Sequence, residues 1–300
     1  MSRMLAVVCA VLTEAQELKA PKAIRDAEAR LVAAPDDATA NLIVGKHLAL
    51  VLGEWEKALP LLAKGSDKTL AEAASKELAK GPNALHKVEI GDLWALAAKK
   101  NRKERQPLLD RASRWYCDAW PDLDGFWKAK FRERAPSLYA PVGPARANAS
   151  VLDQWGGAQK ELPKVELAAT YVHSGAAAVR ITPATTGRLY LTLTLQPLVV
   201  KPGQTVEWSA WVLTDGTDSA ADKMYCDVKD ADGAHLFVKE PSIQPDMPVW
   251  RKMSVTTKLP DKAARVGMII CVQSTKGTLW IDDASVKVDG EERVKAPGFE

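Results

Sequence analysis

Four cysteines and four histidines are present among the 300 residues of this chain, and neither set is spaced to hold a metal. Cys9, Cys117, Cys226 and Cys271 form no Cys-x-x-Cys pair and no zinc-type pattern. Cys226 and Cys271 fall in separate expected strands; a disulfide between them is one reading, and two buried thiols is the one we favour. His86, His173 and His235 are scattered, and His47 sits inside an apolar helical stretch where a packing role outweighs a chemical one. Also missing are a Gly-x-Ser-x-Gly elbow, a His-Glu-x-x-His pair and a phosphate loop, so no sequence-marked hydrolase or nucleotide enzyme is indicated. No apolar run approaches the ~20 residues that span a bilayer, so an integral membrane protein is not expected. A formal net charge of +3, with 26% charged residues, is an ordinary surface rather than a nucleic-acid footprint. The basic stretch at residues 99–103 reads as a solvated helix end, and acids interrupt the one at 128–134.

What is present is apolar and patterned. The 47% hydrophobic share supports real cores, and the length suits two domains of ~100–200 residues each. Ten tryptophans divide evenly between the halves. Up to about residue 137 the apolar spacing is helical. Ile24, Ala27 and Leu31 form a stripe ending at Pro35, and Asp36 or Asp37 caps an enclosed helix through Leu48. Gly45 offers a close helix approach. Trp55, Ala58, Leu59 and Leu62 open a third helix. Ser66 or Asp67, then Asn83, cap the next two. Leu108, Ala112, Trp115 and Ala119 form a stripe that predicts a buried Trp115. Pro136, Pro141, Gly143 and Pro144 then mark a linker at 138–149. At the start, Arg3 and the apolar run Met4–Leu12 have the layout of a signal peptide within residues 1–15; the competing reading is a first helix continuing through Leu18.

From about 150 to 289 the period becomes two. Val206, Trp208, Ala210 and Val212 alternate with Glu207, Ser209, Trp211 and Leu213, following a Pro202-Gly203 turn. Strands are expected at about 164–171, 176–182, 188–196, 204–213, 222–229, 234–239, 250–258, 265–273 and 278–288, with turns such as Asp230-Ala231-Asp232-Gly233. Many short strands argue for a sandwich. Residues 290–300 read as a flexible tail. The fold class is therefore two-domain, all-α followed by all-β: a helical domain at 1–137 and an antiparallel sandwich at 150–289.

Four pieces in order, Val200-Lys201-Pro202-Gly203-Gln204-Thr205 with Ala210-Trp211-Val212, His173-Ser174-Gly175, Pro248-Val249-Trp250, and Trp280-Ile281-Asp282-Asp283, resemble the jelly-roll carbohydrate-binding modules appended to cellulases and xylanases. That resemblance implies a jelly-roll sandwich, non-catalytic glycan binding, export to the periplasm, envelope or medium, and a structural calcium with Asp282 or Asp283 among its ligands. The helical half resembles a tetratricopeptide-like array and a helical region of uncharacterised planctomycete proteins. Alternation places Tyr225 with Asp227 and Lys229, opposite Met224, Cys226 and Val228. Tyr190 lies with Thr192, opposite Leu189 and Leu191. The expected ligand-side residues are thus Tyr190, Glu207, Trp211, Tyr225 and Asp227, with Gln196 as a further polar group and Trp155 as a further platform. Asp282 and Asp283, adjacent in a strand, are expected to point to opposite faces, a poor arrangement for a glycosidase pair, so the chain is not expected to be an enzyme. Two functional classes stand: sugar binding by the sandwich with the helical domain as scaffold, or a structural or protein-interaction role without sugar. If the leader is not a signal peptide, the protein is cytoplasmic.

Overall fold

The computed structural model describes residues 21–79, 81, 83–140, 164–183, 189–192 and 198–296. The leader, residues 141–149 of the linker, Trp155 and Gln196 lie outside them. The chain divides into two compact units, Met1–Leu123 and Asp124–Glu300.

The first unit is helical: α1 (Lys22–Ala33), α2 (Ala38–Lys46, continuing through a π turn at His47–Val51), α3 (Trp55–Lys64), α4 (Lys68–Leu78), α5 (Ala84–Lys100) and α6 (Arg105–Ala119). Each packs against the next in sequence. The expected caps form: Asp37 accepts from the Ala40 N–H, Asp67 from those of Thr69 and Leu70, and Asn83 from that of His86. These side chains satisfy first-turn N–H groups that have no partner within the helix. Gly45 is needed for packing, because a Cβ there would lie 3.0 Å from the Leu62 side chain. At Gly91 a Cβ would lie 2.5 Å from the Tyr116 ring, whose hydroxyl donates to Asp92 at 2.7 Å.

A buried ionic node joins four of these helices. Glu77 of α4 and Arg111 of α6 are 3% and 5% exposed and form a salt bridge. The Glu77 carboxylate also accepts from the indole N–H groups of Trp94 (2.7 Å) and Trp115 (2.9 Å). The Arg111 guanidinium lies over the Trp55 ring at 4.8 Å, and Trp55 meets Trp94 edge to face at 5.3 Å. Leu108, Ala112 and Ala119 are buried as expected. Trp115 is only half-buried, while Trp94 is fully buried. Its indole N–H needs the carboxylate, and this holds the Trp115 ring at the rim of the node rather than in its centre.

The second unit begins with α7 (Gly125–Leu138), so the division between the compact units falls at Leu123 rather than at 137, while every described element from Lys164 onward is a strand. The sandwich itself is antiparallel. A six-stranded sheet runs β1 (Lys164–Ala168), β2 (Ala178–Thr182), β10 (Thr278–Val288), β5 (Thr205–Asp215), β8 (Arg251–Lys258), with β11 (Glu291–Ala296) also on β10. A five-stranded sheet runs β3 (Leu189–Thr192), β9 (Arg265–Val272), β6 (Lys223–Lys229), β7 (His235–Lys239), with β4 (Leu198–Val199) on β9. The β11 pairing corrects the flexible tail: Val294 pairs with Val286 across it. One core lies between the sheets. Val206, Trp208, Ala210, Val212, Ile281 and Val286 enter it from one side, and Met224, Cys226, Val228, Val266, Met268 and Ile270 from the other. Cys226 and Cys271 are free thiols. They point to opposite faces of adjacent strands, and burial pushes the Cys226 thiol up to about 11.

The outer face of the six-stranded sheet is also apolar. Arg180, Trp280 and Leu213 sit side by side on β2, β10 and β5, and Trp280 and Leu213 are buried. Helix α7 reaches this face at its C-terminal end. Phe131, Ala135 and Tyr139, spaced by four, are buried along it. Tyr139 meets Tyr171, which meets Trp280 at 4.6 Å, and the Tyr139 carbonyl accepts from the Val172 N–H. Arg132 of α7 donates to Asp215 and Asp246.

Two outcomes follow. Glu77→Ala leaves a buried guanidinium uncompensated, which costs about 3–5 kcal/mol. Denaturant unfolding should show a loss of that order in the helical unit; under about 1 kcal/mol would mean that the node does not hold the helices. A fragment 124–300 should melt cooperatively and above a fragment 145–300, which lacks α7. Equal melting temperatures would remove α7 from the second fold.

Candidate ligand-binding face

Side chains alternate across β6 and β9, so whatever is not in the core faces outward. On the outer face of the five-stranded sheet the register makes rungs. Lys223 sits opposite Cys271, Tyr225 opposite Ile269, Asp227 opposite Gly267, and Lys229 opposite Arg265. Strand β7 extends the last rung with His235, opposite Lys229. Tyr225, Ile269 and Gly267 are half-exposed, and Arg265 and His235 are exposed. Asp227 is buried beneath them, with His235 Nδ1 at 2.7 Å from one oxygen and Lys229 Nζ at 3.4 Å from the other. Lys223 binds Glu240 at 3.0 Å. That hydrogen bond, together with the Tyr225 hydroxyl, holds the Glu240 carboxyl below its usual range. A Cβ on Gly267 would find nothing nearer than 3.9 Å. The strand therefore has a gap between Ile269 and Arg265, floored by Asp227.

Tyr225 and Asp227 are thus brought together. Tyr190 belongs to the same sheet, at the register position opposite Cys271. Cys271 is fully buried. Glu207 and Trp211 are on β5, in the other sheet, so a single patch of all five residues is corrected to two. Trp211 is not an open platform. The His173 ring stacks on it at 3.8 Å and 21°. Glu207 stands between Lys287 and Thr256 on the same outer face. The residues that sequence reasoning missed are Arg265, Ile269 and Gly267. Their alternation with core residues of β9 was visible, but which strand neighbours β6 was not.

Asp282 and Asp283 do not point apart. A bulge between Asp282 and Ser285, with Asp283 at φ 47°, turns both carboxylates toward His173-Ser174. Asp282 accepts from the N–H groups of His173 (2.9 Å), Ser174 (3.2 Å) and Asp283 (2.9 Å). Asp283 accepts from the Ser174 hydroxyl at 2.6 Å and lies 2.5 Å from His173 Nδ1. A calcium ion needs six to eight oxygens with free lone pairs. Here N–H and O–H donors occupy the carboxylates, and no group of three or more candidate ligands exists among the described residues. The pair therefore fits a clasp between β10 and the loop before β2. Burial, and next the charge of Asp283, push the Asp282 carboxyl up to about 7.

Neither a family model nor a curated protein matches the chain. Solved structures similar to its second half include a family 16 carbohydrate-binding module (15% identity, 50% of this chain, 99% of that one, TM-score 0.36). Another is the xylan-binding domain of Paenibacillus barcinonensis Xyn10C (17%, 51% and 98%, TM-score 0.36). A third is the enzymatically active domain of bacteriophage CBA120 tailspike protein 4 (13%, TM-score 0.39), in which 50% of this chain covers 22% of that one.

The raised Asp282 group binds a proton in the folded state that the unfolded chain, at an ordinary carboxylate pKa of ~3.9, has already lost. Its stabilising contribution is complete below about pH 4 and is lost as pH rises through about 7. Asp282→Asn should flatten this part of the melting-temperature profile between about pH 4 and 7, while a calcium chelator leaves the wild-type melt in place. A chelator-induced drop would overturn the clasp.

Proposed function

We propose that the second unit is a non-catalytic carbohydrate-binding module, with the tetratricopeptide-like first unit as its scaffold. The observation that carries this reading is the contrast between the two outer sheet faces. The outer face of the six-stranded sheet carries Tyr171 on Trp280, with Tyr139 beyond it, and His173 on Trp211. The five-stranded sheet, among the described residues, offers a half-exposed tyrosine beside hydrogen-bonding side chains and a side-chain gap at Gly267. Sugars present an apolar face to a ring and hydroxyls to the polar groups around it. The two-sheet arrangement, in which the chain crosses repeatedly from one sheet to the other, suits a jelly-roll module. Among the described residues of this face, Asp227 and Glu240 are both tied into ion pairs, which favours binding over the pair of available carboxylates a glycosidase uses. Export, suggested by the leader, belongs to the same proposal. A second reading, a protein-interaction scaffold, draws on Phe126 and Trp127, exposed side by side at the start of α7.

The test is calorimetric titration of the full chain against xylan, β-glucan, galactan, cellulose and chitin oligosaccharides. Saturable binding is expected, weakened about tenfold or more (about 1.4 kcal/mol) in Tyr225→Ala without loss of melting temperature. Trp211→Ala should instead lower the melting temperature. Binding that survives Tyr225→Ala unchanged would move the site elsewhere.

A further inference from the structure

We infer that the open face of the five-stranded sheet takes an anionic glycan, one bearing carboxylate or sulfate groups, at the Arg265 end. This rests on the sugar-binding reading above and names its ligand class. Arg265 and Lys229 are direct cross-strand partners, and His235 is the partner of Lys229 on the other side. Directly opposite residues on antiparallel strands have Cβ atoms about 4.5–5.5 Å apart, and like charges so placed destabilise the sheet.

The fold neutralises only part of this row. Asp227 serves both His235 and Lys229. Arg265 is exposed and makes no ion pair among the described residues. Its other neighbour in register is Val199 of β4, 87% exposed, which offers no charge. At the opposite end Glu240 neutralises Lys223. The uncompensated positive charge is therefore local to one end.

The gap at Gly267 lies between this arginine and Ile269, in line with Tyr225. A sugar ring resting over Gly267 against Ile269 and Tyr225 would place a carboxylate or sulfate within reach of Arg265. A guanidinium binds such groups with two parallel N–H donors. The bound anion would relieve the repulsion between Arg265 and Lys229, so binding and sheet stability are coupled.

The experiment titrates the full chain with a galacturonate hexamer, a sulfated galactan oligomer, a neutral galactan hexamer and a single-stranded oligonucleotide, at low and high salt. We expect one or both acidic sugars to bind at least tenfold more tightly than the neutral one. That preference should shrink with salt as the charges are screened, and which acidic sugar binds tighter identifies the anion. Arg265→Ala and Arg265→Gln should each abolish the preference. Their unliganded melting temperatures should equal or exceed that of the parent, because a like-charge pair is removed. Neutral and acidic sugars binding alike, or a preference that survives Arg265→Gln, would overturn this inference and leave sugar binding standing. An oligonucleotide bound as tightly as the acidic sugars would overturn it in favour of a general cationic surface. No binding to any sugar would overturn both.

Discussion

A sheet has two faces, and in this sandwich both faces of the six-stranded sheet are apolar where they matter. The inner one is answered by the opposing sheet. The outer one carries Leu213 and Trp280 and needs a separate answer. Tyr139, at the end of α7, answers it with Tyr171 as the intermediate ring, and Arg132 of α7 ties the helix to Asp215 of β5. That requirement decides where the second unit starts. It also decides which sheet is left to meet a ligand, because a face already committed to packing has no rings to spare.

The helical unit solves a different problem. Its helices pack most extensively against their sequence neighbours, so little in the chain order forces α4 and α6 into one structure. Glu77 and Arg111, with the indoles around them, supply that cross-tie. Buried ion pairs add little net stability compared with apolar packing, but they are strict about geometry. Here one carboxylate with four incoming N–H bonds fixes α5 and α6 against α4 in a single arrangement.

Much of this was legible in the sequence, for reasons that can be named. Strand positions followed from period-two alternation, and caps followed from Asp37, Asp67 and Asn83. Free, oppositely directed Cys226 and Cys271 agree with two buried thiols. The failures share a cause. Alternation tells which residues share a face of one strand but not which strands are neighbours, so Trp211 was grouped with Tyr225 although they lie in different sheets. It also assumes regular strands, so the bulge that turns Asp283 toward His173 was invisible. The helical spacing up to residue 137 placed α7 in the first domain, because helical spacing does not say which core a helix serves.

The order in which the second unit is synthesised gives α7 a particular history. The helix is made first, while Trp280, which Tyr139 reaches through Tyr171, lies on β10, far later in the chain. Strand β10 also joins β2 to β5, so the six-stranded sheet cannot close before it arrives. Such long-range pairing is slow, whereas neighbour-to-neighbour helix packing is fast. On a ribosome the first unit can therefore assemble while Phe131 and Tyr139 still wait for their partner. During that interval the apolar stripe of α7 is the surface a chaperone would see.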